Sequence, residues 1–327
     1  MFIRFFKNNN PSLYFILPFV ALALWVVGFM HPSTLPETNN TPLFNSIANQ
    51  LVKIPYLSTI AAFLLLIAEG FIINHTVNEN EFISRKSFLP ALFYLVFMSN
   101  NEAMLTFHPV LVANFFIMLA INKQFSAYRK NYAFANSFDA GLCLSLATLF
   151  YFPSIILFPL LAFGLIIFRS YNWREWFVSL FGVLVPYCFV FTYYFLNNNI
   201  SQPITEAKSY FVLHDRPLFD YPASFIFMLA IGLIIVLISF SKIPNSILLS
   251  SQKTKKNVIY TSWVSFFGLM SLSIAPEFTS PFLSILAVPV AMFSANYFIN
   301  LKKEVVGEIL FLLFIASILI TDFVKYF

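Results

Sequence analysis

Residues 54–74 read IPYLSTIAAFLLLIAEGFIIN, with Glu69 the one charged side chain among them. An α-helix of this length covers about 31 Å, the thickness of the hydrocarbon core of a bilayer. The run does not alternate between apolar and polar residues as a strand would. A helix also satisfies its backbone N–H and C=O groups within itself, which apolar solvent demands. The stretch therefore predicts a membrane-crossing helix, and the rest of the chain repeats it.

Apolar runs bounded by polar or charged residues occupy 12–30, 54–74, 88–98, 110–121, 138–150, 154–168, 176–196, 221–241, 258–275, 282–299 and 305–323. They predict an all-α, polytopic transmembrane bundle of about 11 helices forming a single integral membrane domain over residues 1–327. The third to sixth runs are short. They fit either full crossings or half-spanning helices packed as two re-entrant hairpins, and both return the chain to the same side. Pro18, Pro159, Pro186 and Pro289 sit inside runs, where membrane helices tolerate kinks. With eight glycines and no GxxxG pair, that close-packing device is absent.

Composition agrees with this solvent. Of the 327 residues, 59% are hydrophobic and 10% charged, whereas a soluble domain is nearer a quarter charged. A soluble enzyme, a disordered chain and a secreted disulfide scaffold are excluded. The net charge of +5 does not indicate nucleic acid, because the cations form short clusters between apolar runs rather than a basic face. Cys143 and Cys188 lie within apolar runs and read as small buried hydrophobes. The 44 phenylalanines read as lipid contact and packing. The first run follows Arg4 and Lys7 as in a signal peptide. It lacks a small-x-small cleavage site near Val27–Met30, so a retained signal-anchor is expected.

With the N-terminus in the cytoplasm and one crossing per run, Lys53, Lys208, Arg216 and Lys325 fall outside. The other fifteen of the nineteen Lys and Arg residues fall inside, as the positive-inside rule requires of a bacterial inner-membrane protein. Trp173 and Trp176 then sit at an inner interface. His31, His108 and His214 fall outside, as do Glu37, Glu102, Glu206, Asp215, Asp220 and Glu277, so an outer functional face is expected.

The first outer loop runs from His31 through Glu37 to a weakly helical stretch, 45–51, read as lying along the membrane surface. The next runs from Ser99 through Glu102 to His108. A carboxylate from each, with an imidazole, suits acid–base chemistry or a divalent cation. Neither loop has a recognised metal spacing. In the longest outer loop, His214-Asp215-Arg216 fits an anionic group such as phosphate or a solvated turn with a local Asp–Arg pair. Asp139 opens the fifth run as an N-terminal helix charge. Glu69, near the inner end of its run, is what a proton-coupled transporter needs, although no partner at its depth is evident from the sequence.

The stretch 138–186 joins a small-residue helix, Phe138–Leu149, to a turn at Pro153-Ser154. A Leu-rich segment at Leu157–Leu161 follows, then a basic turn at Arg169 and Trp173-Arg174-Glu175-Trp176, and Pro186. It resembles the central hairpin of polytopic GT-C class glycosyltransferases. The chain as a whole resembles an uncharacterised bacterial inner-membrane family known only as a domain of unknown function. The GT-C resemblance implies an enzyme taking a sugar from a polyprenyl-phosphate donor at the extracytoplasmic face. Glu37 and Glu102 would then be the catalytic acids, and His31, His108, His214 and Arg216 substrate-binding groups. Glu37 departs from that pattern in standing alone after a proline-rich stretch. A non-enzymatic membrane scaffold and a transporter are the other classes the sequence leaves open.

Overall fold

The structure, a computed structural model, describes residues 2–32, 41, 43–45, 47, 55–100, 104–169, 172–210, 223–241, 251–274, 283–301 and 304–324. The described residues are helices and turns, without strands. In chain order the helices are α1 Phe2–Phe6, α2 Leu13–Leu24, α3 Val26–Met30, α4 Pro55–Glu79, α5 Leu89–Met98, α6 Pro109–Phe125 and α7 Phe134–Phe150. Then come α8 Pro159–Phe168, α9 Trp173–Leu196, α10 Ser201–Ser209, α11 Ala223–Ser241, α12 Gln252–Ser271, α13 Ala287–Ile299 and α14 Glu304–Val324. Short 3-10 turns at Phe152–Leu157 and Ser284–Leu286 precede α8 and α13.

Local chemistry sets the starts. Pro55, Pro90, Pro109 and Pro159 occupy first-turn positions, where a missing N–H costs nothing. The Asn172 and Ser251 side chains accept from Arg174 N and Thr254 N to cap α9 and α12. Pro159 therefore opens a helix, and Pro289 lies in the first turn of α13. Only Pro18 and Pro186 lie deeper within helices.

Every residue of α5 is buried, and so is all of α13 except Tyr297. These two helices form the centre. α1, α2 and α4 pack on α5, while α11 and α12 pack on α13. α6 joins α4 to α7, α7 carries α9, and α14 lies on α11. The outer helices are reversed in polarity relative to a soluble bundle: α9 exposes Phe181, Phe189, Phe195 and Leu196, and α11 exposes Phe227, Leu233 and Leu237. Surfaces of this kind suit hydrocarbon. By length and composition, three described helices can cross a membrane alone, at Tyr56–Glu79, Trp173–Leu196 and Ser224–Ser241. Several shorter apolar helices accompany them.

The short helices still run between the same two ends. Asn78 on α4 exchanges hydrogen bonds with the Ser87 backbone, and Ser58 on α4 accepts from Phe107 N. Those α4 positions are about 30 Å apart, so α5 and its flanking turns cover that whole depth. One end gathers residues 79–88, 122–136, 169, 172–175, 253–257 and 300, through contacts such as Asn80–Asn122, Asn257–Asn80, Ser84–Asn300 and Lys253–Glu81. These belong to the segments expected inside; we call it the basic end. The opposite end joins Trp25 to Ser99, Thr41 to Phe150, and Phe152 to Tyr210.

α7 and α9 run parallel and touch backbone to backbone. A Cβ on Gly141 would collide with the Ser179 carbonyl oxygen, and one on Gly182 with that of Phe138. One glycine on each helix thus achieves the close approach that GxxxG usually gives. Both cysteines are free, Cys143 buried and Cys188 exposed.

Candidate functional site

At the opposite end, the last turns of α7, the middle of α9 and the short helix α10 enclose a cavity of about 250 Å³. Its walls are mostly apolar, with Leu149, Phe152, Val190, Phe191 and Ile204 among them. Five polar groups interrupt this lining, one of them Thr41, whose hydroxyl donates to Phe150 O. Thr148 Oγ1 lies 2.6 Å from the Tyr187 hydroxyl and also donates to Ser145 O. Its single proton being engaged there, Tyr187 is the donor in the pair. Lys208 and Tyr210 come from α10 and the residue after it. The Tyr210 ring lies 5.3 Å from that of Phe152, and its hydroxyl has no hydrogen-bond partner among the described residues. Burial, assisted by the nearby Glu206 carboxylate, pushes the Tyr210 phenol well up. It stays neutral and able to donate. An apolar pocket with a few convergent polar groups is the usual form of a small-molecule or lipid site.

None of these residues is expected from the sequence to act: Thr148 reads only as part of the small-residue helix, and Lys208 only as a cation falling outside. Thr148, Tyr187 and Tyr210 come from separate segments. α10 has no apolar run to announce it. Its signals are Pro203 near its start and the Gln202–Glu206 pair one turn apart, hydrogen-bonded at 2.9 Å.

Of the residues expected to act, Glu37, Glu102, His214 and Arg216 lie outside the described residues, as do Asp215, Asp220 and Glu277. Residues 43–45 and 47 are helical, and the rest of the expected surface helix is likewise outside them. His31 is exposed at the end of α3. His108 is buried in the turn before α6, where its Nδ1 accepts from Val110 N at 3.2 Å. Burial drives its imidazole down to about 3, so it is neutral and serves as the helix cap. His31 and His108 lie at the same end, on segments that meet where Leu105 packs on Gly28. Among the described residues no group of three or more His, Cys, Asp or Glu side chains is placed to hold a metal ion.

A second polar group lies at the centre. α4 extends to Glu79 rather than ending near 74, so Glu69 is mid-helix and not near its inner end. The extension is possible because Asn78 and Asn80, polar residues beyond the apolar run, find partners in Ser87 and Asn122. Partners at the depth of Glu69 do exist. The buried Tyr94 hydroxyl donates to Glu69 Oε2 at 2.8 Å, and Asn114 lies beside it, donating to Ser284 O at 2.9 Å. Asp139 is an ion-pair partner, 2.7 Å from Lys123.

A family model described as "Family of unknown function (DUF6427)" matches residues 41–327. The chain belongs to that family. No curated protein and no solved structure matches it.

Proposed function

We propose that this member of the DUF6427 family is a multi-pass inner-membrane protein that acts on a lipid-linked substrate at the end opposite its basic face, as a polyprenyl-phosphate-sugar transferase would. The observation that carries this reading is the α7–α9–α10 cavity. Its apolar wall lies beside the lipid-facing surface of α9 and suits an isoprenoid chain. Lys208 and the Tyr210 hydroxyl are at hand for a phosphate. The basic end is assigned to the cytoplasm by the positive-inside rule, which leaves the cavity extracytoplasmic. In this reading Glu37, with Glu102, takes the acceptor proton or holds a divalent cation against the leaving phosphate. His31, His214 and Arg216 assist in binding.

The test uses the full chain in nanodiscs with a photoreactive polyprenyl phosphate, followed by mapping of the labelled peptides. Labelling is expected in 187–191 and 203–210, and Ala207→Phe, which fills the cavity, should reduce it several-fold. Labelling spread evenly over the lipid-facing helices and indifferent to Ala207→Phe overturns the reading. Glu37→Gln should retain labelling and lose sugar release. Equal turnover removes Glu37 from the mechanism.

The Glu69–Tyr94–Asn114 group favours a second reading, proton-coupled transport, because ionisable groups at this depth commonly carry protons. In that case Glu69→Gln abolishes pH-driven uptake into proteoliposomes while leaving labelling of the cavity intact.

A further inference from the structure

A larger cleft, about 950 Å³, opens at the basic end. Three separate segments line it: the α6–α7 turn with Tyr128, Arg129 and Lys130, the α8–α9 junction with Arg169, and the first turn of α12 with Lys256. The four cations have different roles. Arg169 is taken up by the protein itself. It forms a two-point pair with Glu175, at 3.0 and 2.6 Å, and donates to the carbonyls of Lys130 and Asn131. Glu175 also accepts from Ala133 N. This ties the floor of the cleft together and holds the 128–131 backbone in place.

Arg129, Lys130 and Lys256 are left around the opening. Arg129 and Lys256 each lie 5.3 Å from the Tyr128 ring centroid. Two cations from different elements are therefore held no farther apart than twice that distance. Lys130 is anchored to Asn136 Oδ1 at 3.0 Å. The Arg129 backbone adopts φ 57°, an uncommon conformation for a long side chain. Among the described residues no carboxylate lines the cleft. Glu175 behind it is committed to Arg169, and on α12 the neighbouring Lys253 faces Glu81 at 3.6 Å. Asn172 and Gln252, at the N-terminal ends of α9 and α12, also line it, and such ends attract anions.

Topology alone accounts for cations at this end. It does not account for their convergence on one cavity, without acids, around one aromatic ring. We propose that the cleft binds a phosphate-bearing anion, either the headgroup of an anionic phospholipid or a soluble phosphate. Trp173, exposed on the first turn of α9 beside it, is of the type that marks the headgroup level of a membrane. Basic pockets between membrane helices on this side commonly take such headgroups.

The test is independent of the lipid-linked substrate reading, which concerns the other end. Full-length protein is titrated with phosphatidylglycerol and with phosphatidylcholine, and adducts are counted by native mass spectrometry. In a second arm, inorganic phosphate is titrated at constant ionic strength and read as a melting shift. Wild type is expected to prefer phosphatidylglycerol or to respond to phosphate; the first identifies a headgroup site, the second a soluble one. Arg129→Gln with Lys256→Gln should weaken that binding roughly 30-fold. Arg4→Gln with Arg85→Gln, the same change of net charge on exposed residues outside the cleft, should leave it unchanged. Equal losses in the two double variants, or no anion preference in wild type, overturn the proposal. Should the cleft variant fail to fold, Arg129→Gln and Lys256→Gln are read singly, each with a loss of roughly 5-fold.

Discussion

Adding a methyl group to Gly182 or Gly141 should push α7 and α9 apart. On Gly182 the new Cβ would overlap the Phe138 carbonyl oxygen and lie 3.0 Å from its carbonyl carbon; on Gly141 it would overlap that of Ser179 and lie 3.1 Å from Val183 N. These neighbours are helix backbone and cannot rotate away. Ordinary C···O contact is restored only when the axes separate by about 1 Å. A gap of that size forfeits a quarter to half of the dispersion along the seam, and overpacking of this kind costs about 1–3 kcal/mol. The higher helix preference of alanine returns up to about 1 kcal/mol, leaving a net loss of about 1–2 kcal/mol for either variant. One separation relieves both collisions, so Gly141→Ala with Gly182→Ala should cost little more than one change alone. Gly70→Ala is the control, because its nearest neighbour would be 3.5 Å away in ordinary contact, and it should be neutral or slightly stabilising. Steric-trap unfolding in bicelles gives the free energies. The Thr148–Tyr187 hydrogen bond lies farther along the same seam, so the alanine variants should also weaken labelling of the cavity. Wild-type stability in Gly182→Ala, or fully additive losses, would refute the backbone-contact reasoning.

His108 supplies a pH dependence. Its folded value of about 3 lies below the ordinary value of roughly 6.5, so the unfolded chain binds the extra proton. Stability from this residue is complete above about pH 6.5 and declines as pH falls toward 3. At pH 5 the loss is about 2 kcal/mol. His108→Gln should melt with a shallower acid dependence than wild type, and parallel curves would contradict the assignment. The Arg169–Glu175 pair is buried, with side-chain exposures of 11% and 1%. Glu175→Ala strands the guanidinium and the Ala133 N–H, and should cost about 3–5 kcal/mol. Arg169→Met with Glu175→Leu should recover part of that loss in the same unfolding assay; a double variant worse than Glu175→Ala would argue against stranded charge as the cause.

The fold was legible because lipid leaves few choices: each long apolar run must be helical, and each falls on a helix. Boundaries were legible only where the apolar run and the helix end together. α4 continues through Asn74-His75-Thr76, α6 runs on to Phe125, and α12 begins at Gln252, six residues before its apolar run. In each the helix carries polar residues past the apolar run, and their partners, such as Asn122 for Asn80 and Asn80 O for Asn257, come from distant segments. The cavity was illegible for a related reason. Thr148, Tyr187 and Tyr210 are ordinary residues in sequence and become a site only through the Gly141–Gly182 approach and the fold-back of α10. Glu69 was visible as a lone charge, but Tyr94 and Asn114 could not be matched to it without the packing of α4, α5 and α6.

The cations were the most legible feature and also the most incompletely read. Counted by side, they orient the chain and nothing more. In the fold they divide. Lys86, Lys123, Arg169 and Lys253 meet Glu79, Asp139, Glu175 and Glu81, and these pairs fasten turns at the basic end. An exposed pair of this kind contributes little, about 0–1 kcal/mol, so Lys86–Glu79 and Lys123–Asp139 serve position more than stability, and only Arg169–Glu175 is buried enough to matter to both. Arg4, Arg85, Arg129, Lys255 and Lys256 have no carboxylate partner among the described residues. Where such a cation projects into water, orientation explains it fully. Two of them, Arg129 and Lys256, each lie 5.3 Å from the centre of the Tyr128 ring, in a cleft whose described lining holds no acid. Their mutual repulsion is unfavourable there unless an anion offsets it. That repulsion separates a binding cleft from a topological signal, and it is why the double substitution at these two positions, with no ligand added, should not lower stability, whereas loss of Glu175 should.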